Sequence, residues 1–170
     1  MSAYIALLRA VNVGGTGKLP MTDLKAMCEE LGFKSVKTYI ASGNVVFLSA
    51  KSEPQVKKAL EKALEAYAGK PVGVLVRTAA EMTAVGSNNP FSEMPGNKTV
   101  AIFLDGPPAA NALSTAKNQV SEELRLGTRE IYAYYPDGQG TSKLQIPAAK
   151  TGTARNMNTV AKLAEMAAAL

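Results

Sequence analysis

The stretch VKTYIASGNVVFL, residues 36–48, decides how this chain is read. Val36 to Ile40 and Asn44 to Leu48 are short runs rich in β-branched and aromatic side chains, and Ala41-Ser42-Gly43 interrupts them, which predicts a hairpin. Upstream, Leu24, Met27, Cys28 and Leu31 recur at i, i+3, i+4 and i+7. That is the apolar stripe of an amphipathic helix, with Cys28 on its buried side and Gly32 just past its end. Before it, the nearly continuous apolar run Ala3 to Val11 predicts a strand buried on both faces, followed by a glycine-rich loop. Downstream, Ser52 is an N-cap with Pro54 in the first turn. Val56, Leu60, Ala63, Leu64 and Tyr67 mark one side of a long helix ending near Gly69, and Val72 to Arg77 is a further strand. The order β-α-β-β-α-β is that of a split βαβ, or ferredoxin-like, unit.

A short helix from Thr78 leads into the polar, Gly- and Pro-bearing stretch Gly86 to Lys98, and Thr99 to Leu104 opens a second unit. There a turn at Asp105 to Pro108, a helix around Ala110 to Asn118 and strands near Glu123 to Leu126 and Glu130 to Tyr135 repeat the β-α-β-β order without a residue-level repeat. Val160, Leu163, Ala164 and Ala167 predict a C-terminal helix capped by Asn156 or Asn158. The expected class is therefore α+β, a tandem of two ferredoxin-like (split βαβ) subdomains plus a C-terminal helix. The expected boundaries are 1–85 for the first subdomain, 86–98 for a linker and 99–170 for the second.

Composition narrows the chemistry. The chain has 170 residues, 46% of them hydrophobic, a net charge of +5, no His, no Trp and one Cys. A lone Cys forms no internal disulfide framework, and the longest apolar runs fall far short of the roughly 20 residues of a membrane span, so a soluble cytoplasmic protein is expected. Without His there is no imidazole base, which excludes serine-protease triads, HExxH sites and most catalytic zinc centres. No metal and no cofactor are expected.

In a right-handed split βαβ unit the loop after strand one and the turn between strands two and three share one edge of the sheet. Asn12, Gly14, Gly15 and Lys18 are therefore expected near Ser42, Gly43 and Asn44, where backbone N–H groups, amides, a hydroxyl and an ammonium suit a small anion. Turn formation alone is the ordinary alternative for such residues. Gly14 to Lys18 is not a phosphate-binding P-loop, because Asn12 stands at the first glycine position and Leu19 where Ser or Thr is needed. Ser114-x-x-Lys117 with Lys150-Thr151-Gly152 imitates the penicillin-binding elements but lacks the S-D-N element and the large helical layer. Between Gly138 and Lys162 the chain carries Lys143, Lys150, Arg155 and Lys162 and no acid. Thr153, Arg155, Asn156 and Asn158 at the last helix start are a second anion or nucleic-acid candidate. A nucleic-acid platform is the weaker reading, because the third strand brings only Phe47 as an aromatic. Arg9, a charge inside an apolar run, needs either a carboxylate partner or a ligand.

Three ordered blocks carry a resemblance: Leu7 to Gly15 with Leu19-Pro20-Met21, Thr38 to Phe47, and Thr153 to Val160. Together they resemble the bacterial family called domain of unknown function 1697 over nearly the whole chain. The resemblance implies two tandem ferredoxin-like subdomains and no established activity; where the family usually has Trp, this chain has Met157. The leading functional expectation is a non-catalytic module holding a small anionic or nucleotide-like ligand through Arg9, Asn12, Gly14, Gly15, Lys18, Ser42, Asn44, Thr153, Arg155, Asn156 and Asn158. Two others stand beside it. One is an enzyme on a phosphorylated or acyl substrate, with Lys18 or Arg155 as electrostatic stabiliser and Asp23 or Asp105 as base. The other is a protein-interaction adaptor using an open sheet face or edge.

Overall fold

The computed structural model describes residues 1–10 and 18–170. These divide into two compact units, Met1–Met82 with Leu163–Leu170, and Thr83–Lys162. The class is α+β: among the described residues there are two four-stranded antiparallel sheets and four α-helices.

In the first unit β1 (Ser2–Leu8), α1 (Met21–Glu30), β2 (Lys34–Thr38), β3 (Asn44–Ser49), α2 (Glu53–Ala68) and β4 (Val74–Thr78) follow in chain order, and the sheet runs β2-β3-β1-β4. Central β1 is buried from Tyr4 to Leu8, as its unbroken apolar run requires of a strand covered on both faces. Tyr4, Ala6 and Leu8 alternate onto the side that meets Leu24 and Cys28 of α1 and Val56, Leu60 and Leu64 of α2. Helix α2 begins as expected. The Ser52 hydroxyl accepts from the Gln55 amide while the Gln55 side chain accepts from the Ser52 amide, a complete capping box, and Gly69 closes the helix in the left-handed region at φ +73°. Cys28 is fully buried, and burial first, then Glu29, pushes its thiol up to about 12, so it packs as an apolar group rather than as a nucleophile. Strand β1 is shorter than the run Ala3 to Val11 suggested. It ends at Leu8, and Ala10 at φ +52° is incompatible with continued extension.

Helix α3 (Ala79–Ser87) leads to the second sheet, made of β5 (Thr99–Phe103), β6 (Glu123–Leu126), β7 (Glu130–Tyr134) and β8 (Thr153–Asn156) in the order β6-β7-β5-β8. The position of β5 between β7 and β8 thus repeats that of β1 between β3 and β4. The helix expected around Ala110 to Asn118 is corrected to a single 3-10 turn, Ala112–Thr115. The Ser114 and Thr115 hydroxyls turn back onto the Asn111 and Ala112 carbonyls. Lys117 then leaves the turn to exchange both backbone hydrogen bonds with Gln145, and Asn118 sits at φ +60°. Strand β8 stands where the sequence predicts no strand, just ahead of the last helix. It is a four-residue edge strand, registered Val100↔Asn156 to Phe103↔Thr153, and too short to show a period. Helix α4 (Met157–Ala168) starts directly after it, with Asn156 Oδ1 accepting from the Thr159 amide at 2.9 Å; of the two expected caps, Asn156 is the one used. Along α4, residues up to Lys162 belong to the second unit and Leu163–Leu170 to the first. No helix among the described residues is long and apolar enough to cross a membrane.

Candidate functional site

Three segments of the first unit meet at one end of its sheet. The Leu8 amide donates to the Gly43 carbonyl and the Arg9 amide to the Gly73 carbonyl, each at 2.9 Å, which joins the exit of β1 to the β2–β3 turn and to the α2–β4 connection. Arg9, which the common-edge expectation did not include, therefore stands at the same sheet end as Ser42, Gly43 and Asn44. Arg9 lies one residue beyond β1 and is half-buried. Its stem lies on Gly73, where a Cβ would come 2.9 Å from Arg9 Cδ. Ser42 is exposed. Asn44 is fully buried, and its Nδ2 donates to the Tyr39 carbonyl at 2.8 Å and to Ser42 Oγ at 2.9 Å. Both its amide hydrogens are thus used inside the turn, so Asn44 fixes the Ser42 hydroxyl in place. Lys18 is exposed, next to Leu19 in the first core. Asn12, Gly14 and Gly15 lie outside the described residues.

In the second unit Thr153, Arg155 and Asn156 are neighbours along β8. Arg155 is buried, and its Nη1 donates to Thr153 Oγ1 at 2.7 Å and to the Ala154 carbonyl at 3.0 Å. Burial lowers its pKa to about 10, so the guanidinium remains charged at neutral pH. Asn158 is exposed and stands against Gly96, which leaves no room for a Cβ there. Of the two residues weighed as bases, Asp23 is held through its carboxylate and Asp105 through its backbone carbonyl. Asp23 accepts from the Tyr67 hydroxyl at 2.7 Å, and the Asp105 carbonyl accepts from Arg129 Nε and Nη2 at 3.1 and 2.8 Å.

Two features had no signal in the sequence. Arg77, which there only ends an apolar strand, is fully buried, with Nη1 donating to the Val76 carbonyl at 2.9 Å. The other is a cleft of about 420 Å³ in the second unit, walled by residues 118, 120–122, 135–138 and 141–143. Its segments are loops from separate parts of the chain, tied by Ser121 Oγ to Asp137 Oδ2 at 2.9 Å and by the Ser142 hydroxyl to the Glu122 carboxylate. Ser142 first, then the Val120 amide, holds the Glu122 carboxyl below the ordinary range. A carboxyl whose pKa falls on folding stabilises the fold above its unfolded pKa, and that contribution disappears as the pH drops through the folded value. Urea midpoints followed from about pH 7 to about pH 3 should therefore fall less steeply in Glu122→Gln than in the wild type; parallel acid limbs would remove this assignment.

Among the described residues no group of three or more His, Cys, Asp or Glu side chains could hold a metal ion. A family model described as "Protein of unknown function (DUF1697)" matches residues 1–132. The conserved bacterial protein SP0830 from Streptococcus pneumoniae shares the fold, with a TM-score of 0.81 and 23% identity over 98% of each chain. No curated protein matches.

Proposed function

We infer a function from the molecule's own chemistry, because the chain belongs to DUF1697, a family of proteins of unknown function. The reading proposed is a non-catalytic module that binds a small anionic or nucleotide-like ligand at the β1 exit of the first sheet. One observation carries it: the half-buried Arg9 and the exposed Ser42, whose hydroxyl Asn44 holds, are brought to the same sheet end by the Leu8–Gly43 and Arg9–Gly73 backbone bonds. A guanidinium with its stem packed down loses little freedom on meeting a phosphate or carboxylate, and hydrogen bonds to a charged group are among the stronger ones. The net charge of +5 favours approach of an anion. The strand order repeated in the two sheets supports reading the units as a ferredoxin-like pair, and the single buried thiol is compatible with a cytoplasmic setting.

The test is a titration of the full chain with inorganic phosphate and with adenosine monophosphate at low salt, followed by amide NMR shifts. Saturable shifts at Leu8, Arg9, Ser42 and Gly43 are expected, with affinity reduced about tenfold in Arg9→Gln, equivalent to about 1.4 kcal/mol. Absence of saturable shifts at those amides, or unchanged affinity in the variant, overturns the reading.

A further inference from the structure

The cleft of the second unit holds a polar group that the fold does not use. Tyr135 is only 7% exposed and its ring packs with Val100, Leu124 and Ile131, yet its hydroxyl has no hydrogen-bond partner among the described residues. Among the described residues no sealed-off polar side-chain atom lacks a partner, so this hydroxyl is open to solvent, and the space Tyr135 lines is the cleft. Facing the cleft, the hydroxyl keeps its donor and acceptor capacity for water or a ligand. Burial, then the negative charge of Glu122, raises the Tyr135 pKa, which places the hydroxyl within the field of that carboxylate.

The remaining walls are charged in a defined pattern. Glu122 is 7% exposed, with one carboxylate oxygen receiving the Val120 amide at 2.7 Å and the other the Ser142 hydroxyl. The Ser121 and Glu122 backbone amides also bond this carboxylate, so it acts on a ligand chiefly through its negative charge. Asp137 adds a second carboxylate and Lys143, exposed at the rim, one ammonium. Val120 is 91% exposed and offers an apolar side chain at the lip. A volume of about 420 Å³ lies in the range of sites that take small molecules.

We propose that this cleft binds a small zwitterion of amino-acid type, its ammonium at Glu122 and Asp137 beside the Tyr135 hydroxyl, its carboxylate at Lys143. A simple anion would meet two carboxylates, and a simple cation would meet Lys143; only a molecule carrying both charges is matched by all three groups. A neutral sugar could share the hydroxyl and the carboxylates but would leave the lysine unpaired.

The full chain is titrated with each common L-amino acid up to about 10 mM, with the N-acetyl derivative of any that binds, and with glucose, while amide shifts are read. Saturable shifts at Val120, Glu122, Asp137 and Ser142 are expected from at least one amino acid. Acetylation, which removes the ammonium, should weaken binding at least tenfold. Tyr135→Phe should weaken it several-fold while leaving the urea midpoint unchanged, because the hydroxyl serves no protein group. If no amino acid shifts those amides, if the acetylated compound binds equally well, if Tyr135→Phe binds as the wild type does, or if glucose alone binds, the proposal is overturned. Phosphate shifts at the β1 exit are independent of these outcomes.

Discussion

Phe47→Ala is expected to lower the unfolding free energy by about 3–5 kcal/mol, the cost of removing a buried aromatic and leaving its cavity. Phe47 is fully buried in β3. Its ring stacks on Phe33, with centroids 4.3 Å apart and planes 5° apart, and lies tilted against Tyr4 at 6.1 Å. The surrounding positions on the sheet face, Ala6 and Val45, are too small to fill the space, and Leu60 and Leu64 are held by α2. Aromatic pairing adds about 0.5–1.5 kcal/mol beyond the area buried, so loss of the Phe33 partner falls on the same side. Urea unfolding followed by near-ultraviolet circular dichroism reads the change. A loss below about 1 kcal/mol would mean that the first core closes around the gap and that this packing description is wrong.

Gly152→Ala should cost about 1–3 kcal/mol although it adds one methyl group. The reason is space, not backbone freedom. A Cβ at residue 152 would stand 2.5 Å from the Phe103 carbonyl oxygen, 2.9 Å from Leu104 Cδ2 and 3.2 Å from Ile102 Cγ2. The nearest of these is backbone, which has no rotamer to retreat into. The displaced segment is the start of β8, where Thr153 pairs with Phe103, so the strain falls on the edge strand that carries Arg155. Gly140→Ala is the control: nothing lies within 4 Å of its Cβ, and a change within about 0.5 kcal/mol is expected. Equal unfolding midpoints for the two variants would show that β8 yields at no cost.

The first unit was readable because its elements are long enough to show a period. Leu24 and Cys28, then Val56, Leu60 and Leu64, recur on one helix face, and the Ser52 and Gly69 signals bound α2 where they were expected. The second unit hides its structure for the opposite reason. Strand β8 has four residues, and Arg155 donates to the Thr153 hydroxyl and to the Ala154 carbonyl within it, so no alternation announces it. The stretch Ala110 to Asn118 has helix-forming composition, but hydroxyl-to-carbonyl bonds and the Lys117–Gln145 bridge redirect it after one turn. Of the candidate site, the shared sheet end follows from topology alone, whereas the inward use of Asn44 depends on a turn conformation that sequence pattern does not encode. The cleft was illegible altogether, since Glu122, Tyr135 and Ser142 are separated along the chain and each reads locally as a loop or strand-end residue.

The division of α4 between the two units sets an order on how the molecule can be made. Residues Leu163–Leu170 complete the unit that begins at Met1, yet they follow Met82 by some eighty residues. At about 5–20 residues per second on a ribosome, the first sheet waits roughly 4–16 s for its last piece. The face of the sheet that meets α1 and α2 is already covered in that interval, so the eight residues are a late addition to a body already built.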